Sequence, residues 1–410
     1  MRIVYLHQYF RTPEQSGGVR SYHFARALAE RGHDVHVVTS RIDRQQTRHR
    51  ARGFQVDLVD GLTVHSLAIP YSNAMPFTRR MKAFASFAIR SSRRARKIRG
   101  DVVVATSTPL TIAVPGIVAT ARRGAPLVFE VRDVWPELPI ALGALSNPFL
   151  QFAARRLEKA AYRASSTVIA LSPGMKSGVV RAGYPADRVE VITNVSDTAA
   201  FAPHSSNPEE FLADNHFLKG RKLIVYCGTF GLANDVGYLV DVAEAARARG
   251  DDLTFVAIGE GSEKDAVRER AACSGVLNRN FFLFDVLPKG RLPGVLASAT
   301  IVLSLFADIP ELESNSANKF FDALAAQKPV AVNYGGWQAE TLERTKAGIR
   351  LPRDANAAAS ALFDAASDST FLAVAKEAAA HLAATEFSLE RLSSRFCDIV
   401  ERDAAEAGTA

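Results

Sequence analysis

Residues 2–40 read RIVYLHQYFRTPEQSGGVRSYHFARALAERGHDVHVVTS. Two runs, RIVYL (2–6) and DVHVVTS (34–40), are β-rich and apolar without the alternation of a half-exposed strand. Between them Phe24, Ala25, Leu28 and Ala29 recur at helical spacing, and Gly32 follows as a stop. Continuous apolar strands are buried on both faces, which requires a parallel sheet with helices as crossovers.

The same rhythm extends in both directions along the chain. VVVATS (102–107), LVFEVR (127–132), STVIALS (166–172) and VEVITNV (189–195) are further strand candidates separated by helix-length segments. The text turns polar and irregular over 201–221 (FAPHSSNPEEFLADNHFLKGR), which reads as a linker, and the rhythm restarts at KLIVYCG (222–228). LTFVAIG (253–259), FFLFDV (281–286), TIVLSLF (300–306) and VAVNY (330–334) complete a second parallel sheet. Beyond about 355 the chain is alanine-rich and helical, and its closing DAAEAGTA reads as a disordered end. A chain of 410 residues exceeds one comfortable core. The expected organisation is an N-terminal Rossmann-like domain over 1–203, a C-terminal Rossmann-like domain over 204–385, and a terminal helix and tail over 386–410, all of α/β class.

Cys227, Cys273 and Cys397 are far apart and form no C-x-x-C, so neither a disulfide framework nor a zinc site is suggested. No D-x-D follows a strand and no H-E-x-x-H is present, and no metal or cofactor is expected. Met1 runs directly into a strand-like segment and no apolar run reaches about 18 residues, so neither a signal peptide nor a membrane span is expected. The net charge of +7 is concentrated. Nine Arg or Lys fall between 79 and 99, with no acid until Asp101. Phe77, Met81, Phe84, Ala85 and Ala88 add an apolar stripe at helical spacing, making helix 77–99 a candidate for an anionic membrane surface. The same stripe could instead pack on its own domain with the cations solvated. Nucleic acid is disfavoured because no binding motif or interleaved aromatics accompany the charge.

Ligands of open α/β sheets bind beyond the carboxyl ends of the strands, so the loops there hold the candidate site. Gly17 and Gly18 open a helix where backbone N–H groups can approach a phosphate, with Arg20 just inside. FEVRDVWPELP crowds Glu130, Arg132, Asp133 and Glu137 around Trp135, although Arg132 and Asp133 could simply pair. Gly228 and Gly231 precede a helix that Asn234 or Asp235 could cap, and Gly259-Glu260-Gly261 repeats the arrangement without completing G-x-G-x-x-G. In IPELESNSANKFFDALAAQKPVAVNY, Ser316 is a candidate cap for a helix over about 317–326. Lys319 lies in its positive first turn, where a bound diphosphate would compensate it, and Asp322 lies one turn on, placed for ribose hydroxyls. A local Lys319–Asp322 pair is the plainer alternative. His7 at the first strand end reads as packed or solvent-facing, and Trp337 reads equally as a sugar contact or a packing residue.

These segments, with YLHQYF, LEKAAYRASSTVIALSPGM and NKFFDALAAQKPV, resemble the retaining GT-B glycosyltransferases, within them the bacterial O-antigen and capsule branch that includes N-acetylfucosaminyl transferases. The resemblance covers almost the whole chain and implies two doubly wound domains facing across a cleft. It implies metal-independent transfer of a sugar, with retention, from a nucleotide donor, where cationic side chains and helix termini stabilise the departing diphosphate. It assigns Asp133, Arg132 and Lys319 to catalysis. The donor would be held by Gly17, Gly18, Arg20, Gly228, Thr229, Asn234, Gly259, Val286, Asn315, Ser316, Asn318, Lys319 and Asp322, and the acceptor or sugar by Glu130, Trp135 and Glu137. The chain departs from the pattern at two places. Ser314 replaces the first glutamate of E-x7-E, and Thr229 and Asn234 stand where many relatives carry an arginine and a lysine, which leaves Lys319, then Arg132 or Arg20, to balance the diphosphate.

The expected partners are a nucleotide-sugar donor, specifically a UDP-linked N-acetyl or deoxy sugar, a lipid-linked saccharide acceptor and an anionic membrane, with no nucleic acid. The expected location is cytoplasmic, peripheral at the inner face of the cell membrane, in surface-polysaccharide synthesis. The alternatives are a nucleotide-sugar epimerase or phosphorylase on the same fold, or a non-catalytic scaffold.

Overall fold

A computed structural model describes residues 1–410 except 16, 42–52, 71–74, 76, 122–123, 203–206 and 410, and the expected boundary at 203 and 204 falls outside the described residues. The chain divides into two compact units, Met1–Thr193 with Glu390–Ala410, and Asn194–Leu389.

The first unit contains β1 (Arg2–Leu6), α1 (Arg20–Glu30), β2 (Asp34–Arg41), β3 (Phe54–Val59), β4 (Leu62–Ala68), α2 (Phe77–Ile98), β5 (Val102–Thr106), α3 (Ala113–Thr120), β6 (Leu127–Val131), α4 (Glu137–Ala141), α5 (Pro148–Ala164), β7 (Thr167–Ala170), α6 (Pro173–Arg181) and β8 (Val189–Val191). Its sheet runs β3-β4-β2-β1-β5-β6-β7-β8 and is parallel except for the β3–β4 pair. Every residue of β5, β6 and β7 is buried, as their mostly apolar runs lead one to expect, and the burial extends to Thr106, Glu130 and Thr167. The β3–β4 hairpin is an addition to the strands read from sequence. Asp60 and Gly61 form its turn with φ of 48° and 82°, the left-handed pair that a two-residue hairpin needs. Helix starts follow local chemistry. The Asn147 side chain accepts from the Phe149 and Leu150 N–H groups with Pro148 at the first helical position, and Ser172 caps α6 in the same manner.

The second unit contains α7 (Pro208–Asp214), β9 (Lys222–Cys227), α8 (Val236–Arg249), β10 (Leu253–Ile258), α9 (Lys264–Cys273), β11 (Phe281–Phe284), α10 (Leu292–Ser298), β12 (Ile301–Ser304), α11 (Asn318–Ala325), β13 (Val330–Val332), α12 (Trp337–Thr345), β14 (Gly348–Arg350), α13 (Ala355–Ser367) and α14 (Ser369–Ala384). Its sheet is wholly parallel in the order β11-β10-β9-β12-β13-β14. Renumbered within the unit, that is 3-2-1-4-5-6, the dinucleotide-fold order. The direction of winding reverses between β9 and β12, and in the first unit between β1 and β5. The loops leaving those strands are where a ligand crevice opens in each sheet.

The last helix, α15 (Leu389–Thr409), belongs with the first unit and overturns the expectation of a disordered end. Phe396 packs on Phe24 and Tyr5, with ring centroids at 4.6 and 6.2 Å. Asp403, 3% exposed, accepts from Ser166 at 2.6 Å and Thr167 at 3.0 Å. Burying one such phenylalanine contributes roughly 1.5–3 kcal/mol, enough to order a terminal helix whose propensity alone would not.

Helix α2 forms where the basic stretch lies, but its inward stripe matches the expected one only in part. Ala88 is buried as expected, with Ala83, Phe87, Ser91, Ala95 and Ile98, whereas Met81 and Phe84 are half-buried, Ala85 is exposed and Ile89 is 54% exposed. The side chain of Phe77 lies outside the described residues. The apolar stripe of α2 therefore serves its own domain core.

Candidate active site

In the first unit the segments after β1, β5 and β6 and the start of α1 supply the polar groups. Arg20 opens α1 but is 3% exposed, and its guanidinium pairs at 2.8 Å with Glu130, which is fully buried. It also donates to the carbonyls of Ile192 and Thr193, and its cation lies 4.2 Å over the Phe24 ring. Glu130 further accepts from Thr106 Oγ1 at 2.5 Å. Burial alone would raise the Glu130 carboxyl, yet Arg20 and Arg132 hold it below the usual carboxylate range. Arg20 and Glu130, expected to face the donor diphosphate and the acceptor, are thus engaged with each other in one buried ion pair.

Arg132 and Asp133 do not pair with each other. The Arg132 backbone N–H donates to Ser107 Oγ at 2.9 Å, and its Nη1 lies 3.3 Å from His7 Nε2 and 3.4 Å from Ser21 Oγ. Asp133 accepts from Thr108 Oγ1 at 2.6 Å. Both are half-buried, so each presents part of a charged group at the strand ends. Guanidinium can only donate, so His7 Nε2 accepts and the imidazole proton sits on Nδ1. His7 is 3% exposed, and burial with the charges of Arg132 and Arg11 holds its pKa well below the ordinary value, which keeps it neutral. Gly17 has a φ of 120°, a backbone state that favours glycine, and Gly18 is half-exposed beside it. Trp135 packs on the core of the unit, and Glu137 pairs with Arg155 at 3.2 Å on the surface.

In the second unit the donor candidates gather around Lys319. Its ammonium donates to Asn234 Oδ1 at 3.0 Å and lies 5.3 Å from the Tyr226 ring centroid. A β-carbon at Gly228 would collide with Lys319 Cε, so the glycine after β9 makes room for the lysine stem. Burial pulls the Lys319 ammonium down to about 8, opposed by Asp322 and Cys227. Burial likewise pushes the Cys227 thiol up to about 12, with Asp322 adding to the effect. Asp322 is half-buried one turn along α11. Thr229 is exposed and its carbonyl accepts from Tyr226 at 2.7 Å. Gly259 has a φ of 151° and approaches Gly228 so closely that a β-carbon would collide with the Gly228 carbonyl. Val286, beyond β11, is 57% exposed.

Two expected caps are not formed. Ala317 occupies the cap position of α11, and Ser316 instead accepts at 3.4 Å from the Asn194 N–H. Asp235 precedes α8 with a φ of 44° and no side-chain cap, while Asn234 is engaged by Lys319. Asn315 is held by its neighbours, its carbonyl accepting from Trp337 Nε1 at 2.9 Å, and Asn318 is exposed at the first position of α11. Trp337 resolves as a packing residue, its ring centroid 6.1 Å from those of Phe320, Phe321 and Phe387. Where the first E-x7-E glutamate is missing, Glu313 lies against the Gly335–Gly336 turn, 2.6 Å from where a β-carbon on Gly335 would be.

Sequence reasoning did not choose His7, Ser21, Thr108 or Cys227. His7 and Thr108 follow strands, Cys227 ends β9 and Ser21 lies in the first turn of α1, so their places at strand and helix ends were the available signal. No group of three or more His, Cys, Asp or Glu suited to a metal ion occurs among the described residues.

The two parallel-sheet Rossmann-like units define a GT-B glycosyltransferase fold. "Glycosyl transferase 4-like domain" matches residues 17–195 and "Glycosyl transferases group 1" matches residues 221–368. The chain belongs to the group 1 glycosyltransferases, a retaining, metal-independent family. It is 25% identical over 254 residues to alpha-maltose-1-phosphate synthase of Mycolicibacterium smegmatis, a match spanning 59% of this chain and 62% of that protein. It is 23% identical over 292 residues, 68% of this chain and 71% of the relative, to the putative colanic acid biosynthesis glycosyl transferase WcaI of Escherichia coli. The structure of Anabaena HepE in complex with UDP and glucose superposes with a TM-score of 0.71 at 16% identity, covering 98% of this chain and all of that one. No helix among the described residues is long and apolar enough to cross a membrane.

Proposed function

We propose that the chain transfers an N-acetyl or deoxy sugar from a UDP-linked donor onto a lipid-linked saccharide in bacterial surface-polysaccharide assembly. The observation that carries the reading is Lys319. A cation half-removed from water is held by the neutral amide of Asn234, and among the described residues no carboxylate lies at ion-pair distance from it, Asp322 acting on it only through its charge. A departing nucleoside diphosphate supplies that missing charge, and a preorganised ammonium stabilises it more as the sugar–oxygen bond breaks and charge accumulates. The lysine thereby reaches the Asn234 position, where many relatives carry their own cation. Asp322 would take the ribose hydroxyls, and Gly228 and Gly259 would allow backbone approach. In the first unit Arg132 and Asp133 would serve the acceptor and the transferred sugar, with His7 fixing the guanidinium. The surface reading of α2 rests on its exposed cations alone, since its apolar stripe is buried.

The deciding experiment offers purified protein a panel of UDP-, GDP- and dTDP-sugars and follows binding and nucleotide release, for wild type and Lys319→Ala. One nucleotide released in the presence of a polyprenyl-linked acceptor, with at least tenfold weaker binding in Lys319→Ala, is the expected outcome. Absence of binding to every nucleotide would move the reading to a scaffold, and conversion of the donor without an acceptor would move it to an epimerase.

A further inference from the structure

The burial of the α2 stripe leaves that helix with cations and little to insert, while α5 presents the reverse deficiency. Phe149 and Phe152 on α5 are 75% and 61% exposed, one helical turn apart. Arg156, Lys159 and Arg163 continue the same outward stripe, and all three are exposed. Arg156 lies over the Phe152 ring, 5.8 Å from its centroid. The opposite stripe of α5, including Ala161 and Tyr162, packs into the core. The only acid of α5, Glu158, faces inward, accepting from Tyr162 at 3.0 Å, and burial pushes its carboxyl up to about 7. It therefore does little to cancel the cations outside.

Helices α2 and α5 both pack on α3, on one face of the first sheet. The outward stripe of α2 carries Lys82, Ile89, Arg93 and Arg96. The layer thus exposes two aromatic side chains beside the cations of their own helix, and further cations on α2 across α3, with Glu137 already paired to Arg155. A protein partner would need a matching apolar pocket and an acidic rim. An anionic bilayer offers both an acyl boundary for rings and a negative surface for Lys and Arg, without any specific pocket.

We propose that the amino-terminal turn of α5 is an interfacial anchor, inserting Phe149 and Phe152 into an anionic bilayer while Arg156, Lys159, Arg163 and the outward cations of α2 bind its headgroups. The proposal gives a physical basis to a lipid-linked acceptor but does not depend on the sugar chosen.

The test is flotation of the full-length chain with phosphatidylcholine vesicles and with vesicles containing phosphatidylglycerol, for wild type, Phe149→Ser/Phe152→Ser and Arg93→Glu/Arg96→Glu. Binding restricted to phosphatidylglycerol vesicles, weakened at least tenfold in the phenylalanine pair and in the charge-reversed pair, is expected. A Phe152→Trp variant, after subtraction of wild-type emission, shifts to the blue with anionic vesicles and is quenched by brominated acyl chains. Equal binding of the phenylalanine pair and wild type overturns the anchor, as does equal binding to neutral vesicles. A wild-type dimer in light scattering that the phenylalanine pair dissociates overturns it in favour of a second copy. Far-ultraviolet circular dichroism and UDP binding of each variant separate misfolding from lost anchorage, and intact UDP binding with no vesicle binding rejects the anchor while leaving the donor reading standing.

Discussion

Arg20 in the first unit and Lys319 in the second are both cations at the start of a helix that follows a glycine-containing or strand-end loop, yet they do opposite things. Arg20 meets a fully buried carboxylate, two backbone carbonyls and an aromatic face, so each of its three guanidinium nitrogens has an acceptor inside the protein. Lys319 meets one neutral amide oxygen and an aromatic ring, and burial lowers its proton affinity with only partial compensation from the charge of Asp322. A buried charge with a complete set of partners belongs to the architecture. A desolvated charge balanced only in part is poised for an anion, because the ligand recovers the electrostatic deficit that folding left.

The largest effect expected from breaking this contrast is on stability. Arg20→Met leaves Glu130 buried without its cation and should destabilise the first unit by about 3–5 kcal/mol in urea unfolding. The double variant Arg20→Met/Glu130→Leu should recover most of that loss, because it removes the orphaned charge as well. Recovery of nothing would mean that the pair also organises the carbonyls of Ile192 and Thr193.

The second effect concerns proton linkage at Lys319. Its ammonium is lowered from 10.5 to about 8 by burial, so in the free protein it is charged below about pH 8 and loses its proton above. A bound diphosphate favours the charged form and raises the bound-state value, so binding above pH 8 must take up a proton. UDP affinity is therefore expected to be flat up to about pH 7.5 and to fall by up to about tenfold per pH unit above 8. Calorimetry in buffers of different ionisation enthalpy should detect the uptake, and Lys319→Met should abolish both. A wild-type affinity that does not change between pH 7 and 9.5 would place the cation for the diphosphate elsewhere.

The smallest effect is expected where a pair is exposed. Glu137 and Arg155 are about half-exposed and 3.2 Å apart. Glu137→Ala should change stability by less than about 1 kcal/mol. A larger loss in transfer rate at unchanged stability would instead give Glu137 a role toward the acceptor.

Much of the fold was legible because strand burial acts on local sequence. The short β-rich apolar runs at Val102–Thr106 and Leu127–Val131 read as interior strands, and the polar stretch from 201 marked where one rhythm stopped and another began. The β3–β4 hairpin escaped because β3 is an exposed edge strand whose FQVDLV alternates apolar and polar residues, whereas the strands read were continuous apolar runs. Its Asp60-Gly61 turn was the cue that went unread. The end of VEVITNV shortened to three strand residues, since the following backbone turns to give its carbonyls to Arg20. The placement of Lys319 and Asp322 one turn apart on α11 was readable from their spacing, whereas the contact of Lys319 with Asn234 was not.

Residue type and periodicity by themselves determined the two parallel sheets, the helices between them and the lysine near a positive helix end. The tertiary structure alone decided which charges are spent. Arg20 and Glu130 lie far apart in sequence and meet because β6 is separated from β1 only by β5. It also decided which way the apolar stripe of α2 faces, and left Phe149 and Phe152 outside. Periodicity reports that a helix has two faces, but the neighbouring elements determine which face is removed from water.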